Sequence, residues 1–100
     1  MSIVSPNRYP YETVAASQTA QVLGGTGAVG DYLHRIVVTV NTALTSTVSV
    51  LDGSTAVMAV PANTPIGVYS VEINAASATG PWAITTGAGA EVMAVGFFTA

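Results

Sequence analysis

Short runs of β-branched residues, separated by turn residues about every ten positions, extend from Thr13 to the C-terminal end of the sequence. Apolar residues at helical spacing are missing, and the alternation within the runs is typical of strands. Strands of this length and spacing are typical of two packed antiparallel sheets or of a barrel. We therefore predict one all-β domain over residues 13–100, an antiparallel, jelly-roll-like β-sandwich of about seven to eight strands.

The clearest strand is predicted over residues 32–40, where Ile36, Val38 and Val40 share the even-numbered face with Tyr32. This face is the more apolar one and is predicted to point to the core. Asp52-Gly53 predicts a tight hairpin, because glycine adopts positive φ without strain. The other predicted strands cover residues 14–23, 47–51, 55–60, 68–73, 82–86 and 92–99, and the predicted breaks cover residues 61–65, 75–81 and 87–89.

Residues 1–12 are predicted to form an extended arm outside the sandwich. The arm contains two prolines, which cannot donate hydrogen bonds to a sheet. Its two tyrosines, Tyr9 and Tyr11, are amphipathic aromatic residues of the kind enriched at interfaces. Arg8 could form an ion pair with a neighbouring subunit. Arg8, Tyr9 and Tyr11 are therefore candidate interface residues.

Charged residues make up 7% of the sequence, against about 25% in ordinary soluble domains. Arg8 and Arg35 are the only basic residues, lysine is absent, and the formal net charge is −3. A nucleic-acid-binding protein needs a basic surface to neutralise phosphates, and binding to anionic lipid surfaces needs one too. We therefore expect neither a nucleic acid nor a membrane as partner.

The uncharged span 53–71 raises the question of a transmembrane segment. Pro61, Asn63 and Pro65 interrupt it, so no apolar run reaches the roughly 18 residues that a span requires. The first ten residues lack a basic segment followed by an apolar stretch, so no secretory signal is predicted. Because the sequence has no cysteine, disulfides and thiol chemistry are excluded.

Gly25, Gly27 and Gly30 fit the pattern G-x-G-x-x-G of dinucleotide-binding loops. That pattern binds pyrophosphate only where the glycines open a helix, whose N-terminus faces the ligand. The residues after Gly30 are β-branched and strand-like in period. The glycines are therefore predicted to form a connection without a ligand.

Catalytic and metal-binding patterns are weak in this sequence. His34 is the only histidine, and strand alternation places Asp31 and Arg35 on the opposite face from it. The five carboxylates are scattered, with Asp52 explained as a turn residue, and no loop concentrates acids as a calcium site does. We predict no catalytic residue, no cofactor and no metal site, and hence a protein that is not an enzyme.

Three aromatic residues in the C-terminal part are further interface candidates. Trp82 follows Gly-Pro at a strand start and is predicted to lie in the core or at a subunit interface. Phe97 and Phe98 are adjacent, so one ring must face something other than the core. A carbohydrate-binding module remains an alternative, with Trp82, Tyr69 and Tyr32 as stacking residues.

The residue composition of the outer strand faces predicts that the protein associates with other copies or with a larger assembly. They carry Thr, Ser and Ala where soluble sandwiches carry Lys and Glu, and charge is the usual deterrent to pairing between sheets. Packing in a homo-oligomer or on a larger lattice buries such faces. We expect a trimer or another closed homo-oligomer.

Several runs carry a family resemblance. They are GDYLHR (30–35), IVVTV (36–40), LDG (51–53), PANTPIGVY (61–69), GPW (80–82), ITTGAG (84–89) and AVGF (94–97). With these runs, residues 15–99 resemble small structural proteins encoded by tailed bacteriophages and prophages. The shared motifs are turns and strand edges, so they indicate a fold and no chemistry.

The resemblance implies a virion protein of the capsid-decoration or cement type. Such a protein is made in the host cytoplasm and binds the major capsid protein on the capsid surface. The resemblance also allows a head-fibre or tail accessory protein that binds a receptor. No site residues carry over from the family, and the arm matches nothing in it.

Overall fold

A computed structural model of the chain describes residues 10–100, which form eight β-strands and no helix. None of these residues belongs to a helix that could cross a membrane. The strands are Tyr11–Val14 (β1), Gln21–Val22 (β2), Tyr32–Val40 (β3), Val48–Asp52 (β4), Thr55–Val60 (β5), Gly67–Ala76 (β6), Trp82–Thr85 (β7) and Ala90–Phe97 (β8).

The strands form two antiparallel sheets of four, in the orders β1-β8-β3-β6 and β2-β7-β4-β5. Pairing is nested about the β4–β5 hairpin: β3 pairs with β6, β2 with β7, and β1 with β8. Lateral pairs β3–β8 and β4–β7 complete the sheets. This nested order is that of a jelly roll, an eight-stranded sandwich of two Greek keys. The predicted fold class is confirmed.

The core lies between the sheets and follows strand alternation. On β3, Ile36, Val38 and Val40 are buried as predicted, and β4 contributes Val48 and Val50 opposite them. The remaining fully or nearly buried apolar residues are Val14, Leu23, Leu33, Leu44, Val60, Trp82, Ala83, Ile84, Ala90, Val92 and Ala94.

The prediction for β3 is wrong at its N-terminal end. Leu33, placed on the outer face by the sequence pattern, is fully buried, and Tyr32 is only partly buried. The cause is a β-bulge between Leu33 and Arg35, which inserts His34 as an extra residue opposite β8. An extra residue shifts the alternation, so the face predicted from period 2 changes at the bulge.

The N-terminal boundaries also differ from the prediction. The arm was predicted to reach residue 12, but Tyr11 and Glu12 lie in β1 and pair with Val95 and Ala94 of β8. The strand predicted over residues 14–23 is two strands in different sheets. Ser17 and Ala20 have positive φ (62° and 45°), so the backbone turns between them. Arg8 and Tyr9 lie outside the described residues.

Turns occur close to the predicted positions. Asp52 pairs with Thr55, so the hairpin loop is Gly53-Ser54, one residue beyond the predicted pair, with Gly53 at φ 65°. The break at residues 61–65 is confirmed and connects β5 of one sheet to β6 of the other. β6 runs to Ala76, so the loop predicted over residues 75–81 begins later.

Candidate interaction surface

The glycine-rich connection before β3 is a packed loop that precedes a strand, as predicted. Gly24, Gly25, Gly27 and Gly30 all have positive φ. The Gly27 amide donates to the Thr99 carbonyl at 2.8 Å, and a Cβ on Gly27 would lie 2.3 Å from Cβ of Pro81. These glycines are therefore explained by backbone conformation and close packing.

Asp31 fastens this loop to the C-terminal segment. Its Oδ1 accepts a hydrogen bond from the Thr99 hydroxyl at 2.7 Å, and its Oδ2 accepts from the Thr99 and Ala28 amides at 2.9 and 3.0 Å. Partial burial raises the pKa of Asp31, but these hydrogen bonds outweigh it and hold the pKa below its ordinary value. The carboxylate therefore serves as an internal acceptor.

Trp82 lies in the core, with 3% of its surface exposed. Its Nε1 donates to the Asp31 carbonyl at 2.8 Å, which satisfies the one polar group of the indole. Of the two predicted positions for Trp82, core and interface, the structure thus shows the core. The ring is not available as a stacking surface in this conformation.

The other two residues of the carbohydrate-binding alternative, Tyr69 and Tyr32, make hydrogen bonds within the chain. Tyr69 packs against the core, and its hydroxyl donates to the Pro65 carbonyl at 2.8 Å. Tyr32 pairs across the sheet with Phe97, and its hydroxyl hydrogen-bonds His34 Nδ1 at 3.2 Å. Because Trp82 is buried, the three rings do not form one exposed stacking platform.

Asp52 joins the β4–β5 hairpin to the connection between β6 and β7. Its carboxylate accepts hydrogen bonds from the amides of Ala78, Thr79 and Gly80 at 2.9–3.2 Å. The Thr79 hydroxyl donates to the Asp52 carbonyl at 2.8 Å. The amides of Ala78 and Thr79 lower the pKa of Asp52 most, because they stabilise its charged form. Asp52-Gly53 in the sequence predicted the turn, but nothing in the sequence predicted these contacts of Asp52 with residues 78–80.

Arg35 of β3 and Glu72 of β6 form an exposed ion pair. Nη1 of Arg35 lies 3.7 Å from Oε1 of Glu72, and the two side chains are 44% and 57% exposed. Because water screens an ion pair this exposed, the pair contributes little to stability. Within residues 10–100, no three His, Asp or Glu side chains are close enough to bind a metal ion.

Two hollows lie on or beside the β1-β8-β3-β6 sheet. The larger, about 380 Å³, is lined by Gly30, Asp31, Tyr32, Phe97, Phe98 and Thr99. The smaller, about 140 Å³, is lined by Thr13, Thr39, Glu91, Val92 and Met93. In the larger hollow, the carboxylate of Asp31 already accepts hydrogen bonds from within the chain.

As predicted for the adjacent residues Phe97 and Phe98, one ring faces the core and the other faces outward. Phe98 packs against the core, whereas Phe97 is 54% exposed. Tyr11 is 64% exposed on β1, opposite Val95 of β8. Tyr11 and Phe97 thus place aromatic surface at the β1–β8 end of one sheet, which we call the aromatic face.

The opposite side of the sandwich includes a long uncharged segment. β5 and β6 are the edge strands there, and the short connection 61–66 joins them across the two sheets. Residues 53–71 carry no charge, and they include β5, the connection and the first half of β6. We call this region the uncharged side. It carries three of the six exposed large hydrophobic residues among those described: Val57, Ile66 and Val68.

Comparisons with family models, curated proteins and solved structures give no match to this chain.

Proposed function

We propose that this chain is a non-enzymatic virion structural protein that binds and stabilises an assembled bacteriophage capsid. The observation that carries the proposal is that the surface has an exposed aromatic face and an uncharged side. Both kinds of surface are suited to packing against protein. The resemblance to small phage structural proteins supports it. On this proposal the protein resides on the capsid surface after synthesis in the host cytoplasm.

In the proposed mechanism, binding of this protein is thermodynamically linked to assembly of the capsid lattice. A protein that binds the assembled lattice but not free capsid subunits stabilises the lattice by mass action, about 2.7 kcal/mol per site at a free concentration 100 times its Kd. If each copy bridges neighbouring subunits, or if copies are linked, the second contact forms at a high effective concentration. No bond is made or broken, so the protein needs only complementary surfaces.

The aromatic face is the candidate contact with capsid protein. Tyr11 and Phe97 supply large amphipathic or apolar area on strands held rigid by the sheet. Tyrosine and phenylalanine are enriched in interface cores, and the residues with the largest effects on affinity include aromatic anchors. Arg8 and Tyr9 remain candidates for the same contact from the sequence.

Co-sedimentation tests the proposal. The chain is mixed with assembled shells of the major capsid protein from the same genome and, separately, with unassembled capsid subunits. We expect saturable binding to shells alone. Tyr11→Ala should weaken it about tenfold or more, whereas Val29→Ala, which also trims an exposed apolar side chain, should bind like the unchanged protein.

Other outcomes would replace the proposal. Binding to purified tails or fibres and not to shells would favour a tail or head-fibre accessory protein. Saturable binding on a glycan array, with no binding to shells, would favour a carbohydrate-binding module. Equal binding to shells and free subunits would remove the stabilising mechanism.

A further inference from the structure

We infer that two copies of this chain pair edge to edge along β5, in an antiparallel arrangement related by a twofold axis. The two β2-β7-β4-β5 sheets would then form one continuous eight-stranded sheet. This contact lies on the uncharged side, opposite the aromatic face proposed to bind capsid protein. It therefore does not depend on the proposed function.

The backbone of β5 specifies the kind of partner. Among residues 10–100, β5 is the last strand of its sheet and pairs with β4 on one side only. An edge strand presents a row of main-chain N–H and C=O groups, and only another extended backbone can pair with that row as a ladder. The occupant that fits the β5 edge is a β-strand.

Charge favours a second copy of the chain as the source of that strand. Copies with a net charge of −3 repel each other, and they approach at least cost where neither carries charge. β5 has no charged residue, so no register of self-pairing places like charges opposite each other. β6, the neighbouring edge, contains Glu72, and β1 contains Glu12.

An exposed apolar side chain on β5 adds to the contact. Val57 of β5 is 48% exposed. A twofold interface uses the same surface on both copies and closes as a dimer, so it buries Val57 of each copy.

A β-bulge in β5 opposes pairing at this edge, but a bulge in β3 shows that a bulged strand can still pair. Val57 is the extra residue of a bulge against β4, and bulges often protect sheet edges. β3 also contains a bulge, at His34, yet it pairs with β8 on one side and with β6 on the other, both before and after the bulge. A bulge in this fold is therefore compatible with a partner on both sides of the strand.

Sedimentation velocity of the full chain over a range of micromolar concentrations tests the inference. We expect a reversible monomer–dimer equilibrium. Val57→Lys should weaken the dimer about 100-fold or more, because two lysines are then brought together across the twofold axis. Val29→Lys is the matched control, since it makes the same change at a 61% exposed position away from β5, and it should leave the dimer intact.

Mixing charge variants tests whether β5 contacts β5. Val57→Lys and Val57→Glu should each be monomeric alone, and an equimolar mixture should restore dimers that contain one copy of each. Hydrogen exchange of the unchanged protein supplies a test without substitution, since the amides of residues 55–60 should gain protection as concentration rises. Circular dichroism confirms that each variant is folded.

The inference is overturned by a monomer at all concentrations, by a trimer, or by a Val57→Lys variant that is folded and still dimeric. It is also overturned if protection in hydrogen exchange rises with concentration elsewhere but not in residues 55–60. Loss of dimers with retained binding to shells would affect this inference alone. Loss of shell binding with intact dimers would affect only the proposed function.

Discussion

At the scale of single residues, two carboxylates contribute to the fold by joining segments that are distant in sequence. Asp31 holds the C-terminal segment against the glycine-rich loop, and Asp52 holds the connection between β6 and β7 against the β4–β5 hairpin. Each accepts hydrogen bonds from backbone amides, which have few other partners once the loops are packed. Two of the few charged side chains in this sequence, Asp31 and Asp52, therefore have a structural role.

The first prediction concerns acid stability. Because both pKa values are lowered in the folded state, the stability these groups contribute is present above the unfolded pKa of about 3.9 and is lost as pH falls through the folded values. We expect Tm to decline below about pH 4. Asp52→Asn should lower Tm at pH 7 and flatten this acid decline, whereas Ser54→Ala should do neither.

Thermal melts from pH 7 to pH 2 measure this. The difference in Tm between the unchanged protein and Asp52→Asn should shrink as the pH falls. A constant difference across that range would mean that the charge of Asp52 does not contribute to stability.

The second prediction separates two reasons for glycine in the loop before β3. Gly27 and Gly30 both have positive φ, but a Cβ would meet Pro81 at Gly27 and nothing within 4 Å at Gly30. Gly30→Ala should therefore cost about 1–2 kcal/mol for the backbone conformation alone. Gly27→Ala should cost about 1–3 kcal/mol more, because the added methyl overlaps the proline. Urea denaturation measures both, and equal costs would contradict the steric explanation.

At the scale of elements, local pattern predicted most strands but not the separate strands β1 and β2. β5 and the strand over residues 32–40 lie where the alternation and turn signals placed them. β1 was missed because Tyr11 pairs with Val95, about 80 residues away, and follows a proline. The break between β1 and β2 has no glycine or proline signal, because it is made by non-glycine residues with positive φ.

Long-range contacts also explain which parts of the candidate surface could be predicted. Simple alternation predicted that one of the adjacent rings Phe97 and Phe98 points outward, and the structure shows that it is Phe97. The burial of Trp82 depends on the Asp31 carbonyl in another connection, which the sequence left as one of two possibilities. The uncharged side is visible as a span in the sequence, but its position at an open edge requires the strand order.

The third prediction concerns β1. Removal of residues 2–9 should leave the β-type circular dichroism and Tm nearly unchanged, since the β1 ladder begins at Tyr11. Removal of residues 2–14 should destabilise the fold strongly. It uncovers β8 and deletes Val14, whose fully buried side chain contributes about 1.5–3 kcal/mol.

Thermal melts of the two truncated chains test this pair. If both melt like the full chain, β1 does not contribute to the stable sandwich. If the shorter deletion alone unfolds the domain, residues 2–9 contribute to folding, contrary to their predicted role as an arm.

At the scale of the whole molecule, the jelly roll presents two different ends. One end has short edge strands, β1 and β2, beside the exposed Tyr11. The other has the longer edges β5, which lies within the uncharged span 53–71, and β6, whose first half lies within it. Jelly rolls occur in viral capsid proteins and in lectins, so the fold alone does not choose a function. The two ends together suit a module that binds a lattice at one end and a second copy at the other.

The most direct measurement of the proposed function is electron cryo-microscopy of assembled capsid shells after incubation with an excess of this chain. The proposal predicts additional density on the outer surface, repeated at equivalent lattice positions and sized for one or two copies of a 10.0 kDa domain. Shells that show no added density at saturating concentration, or density confined to a tail or portal vertex, would contradict it.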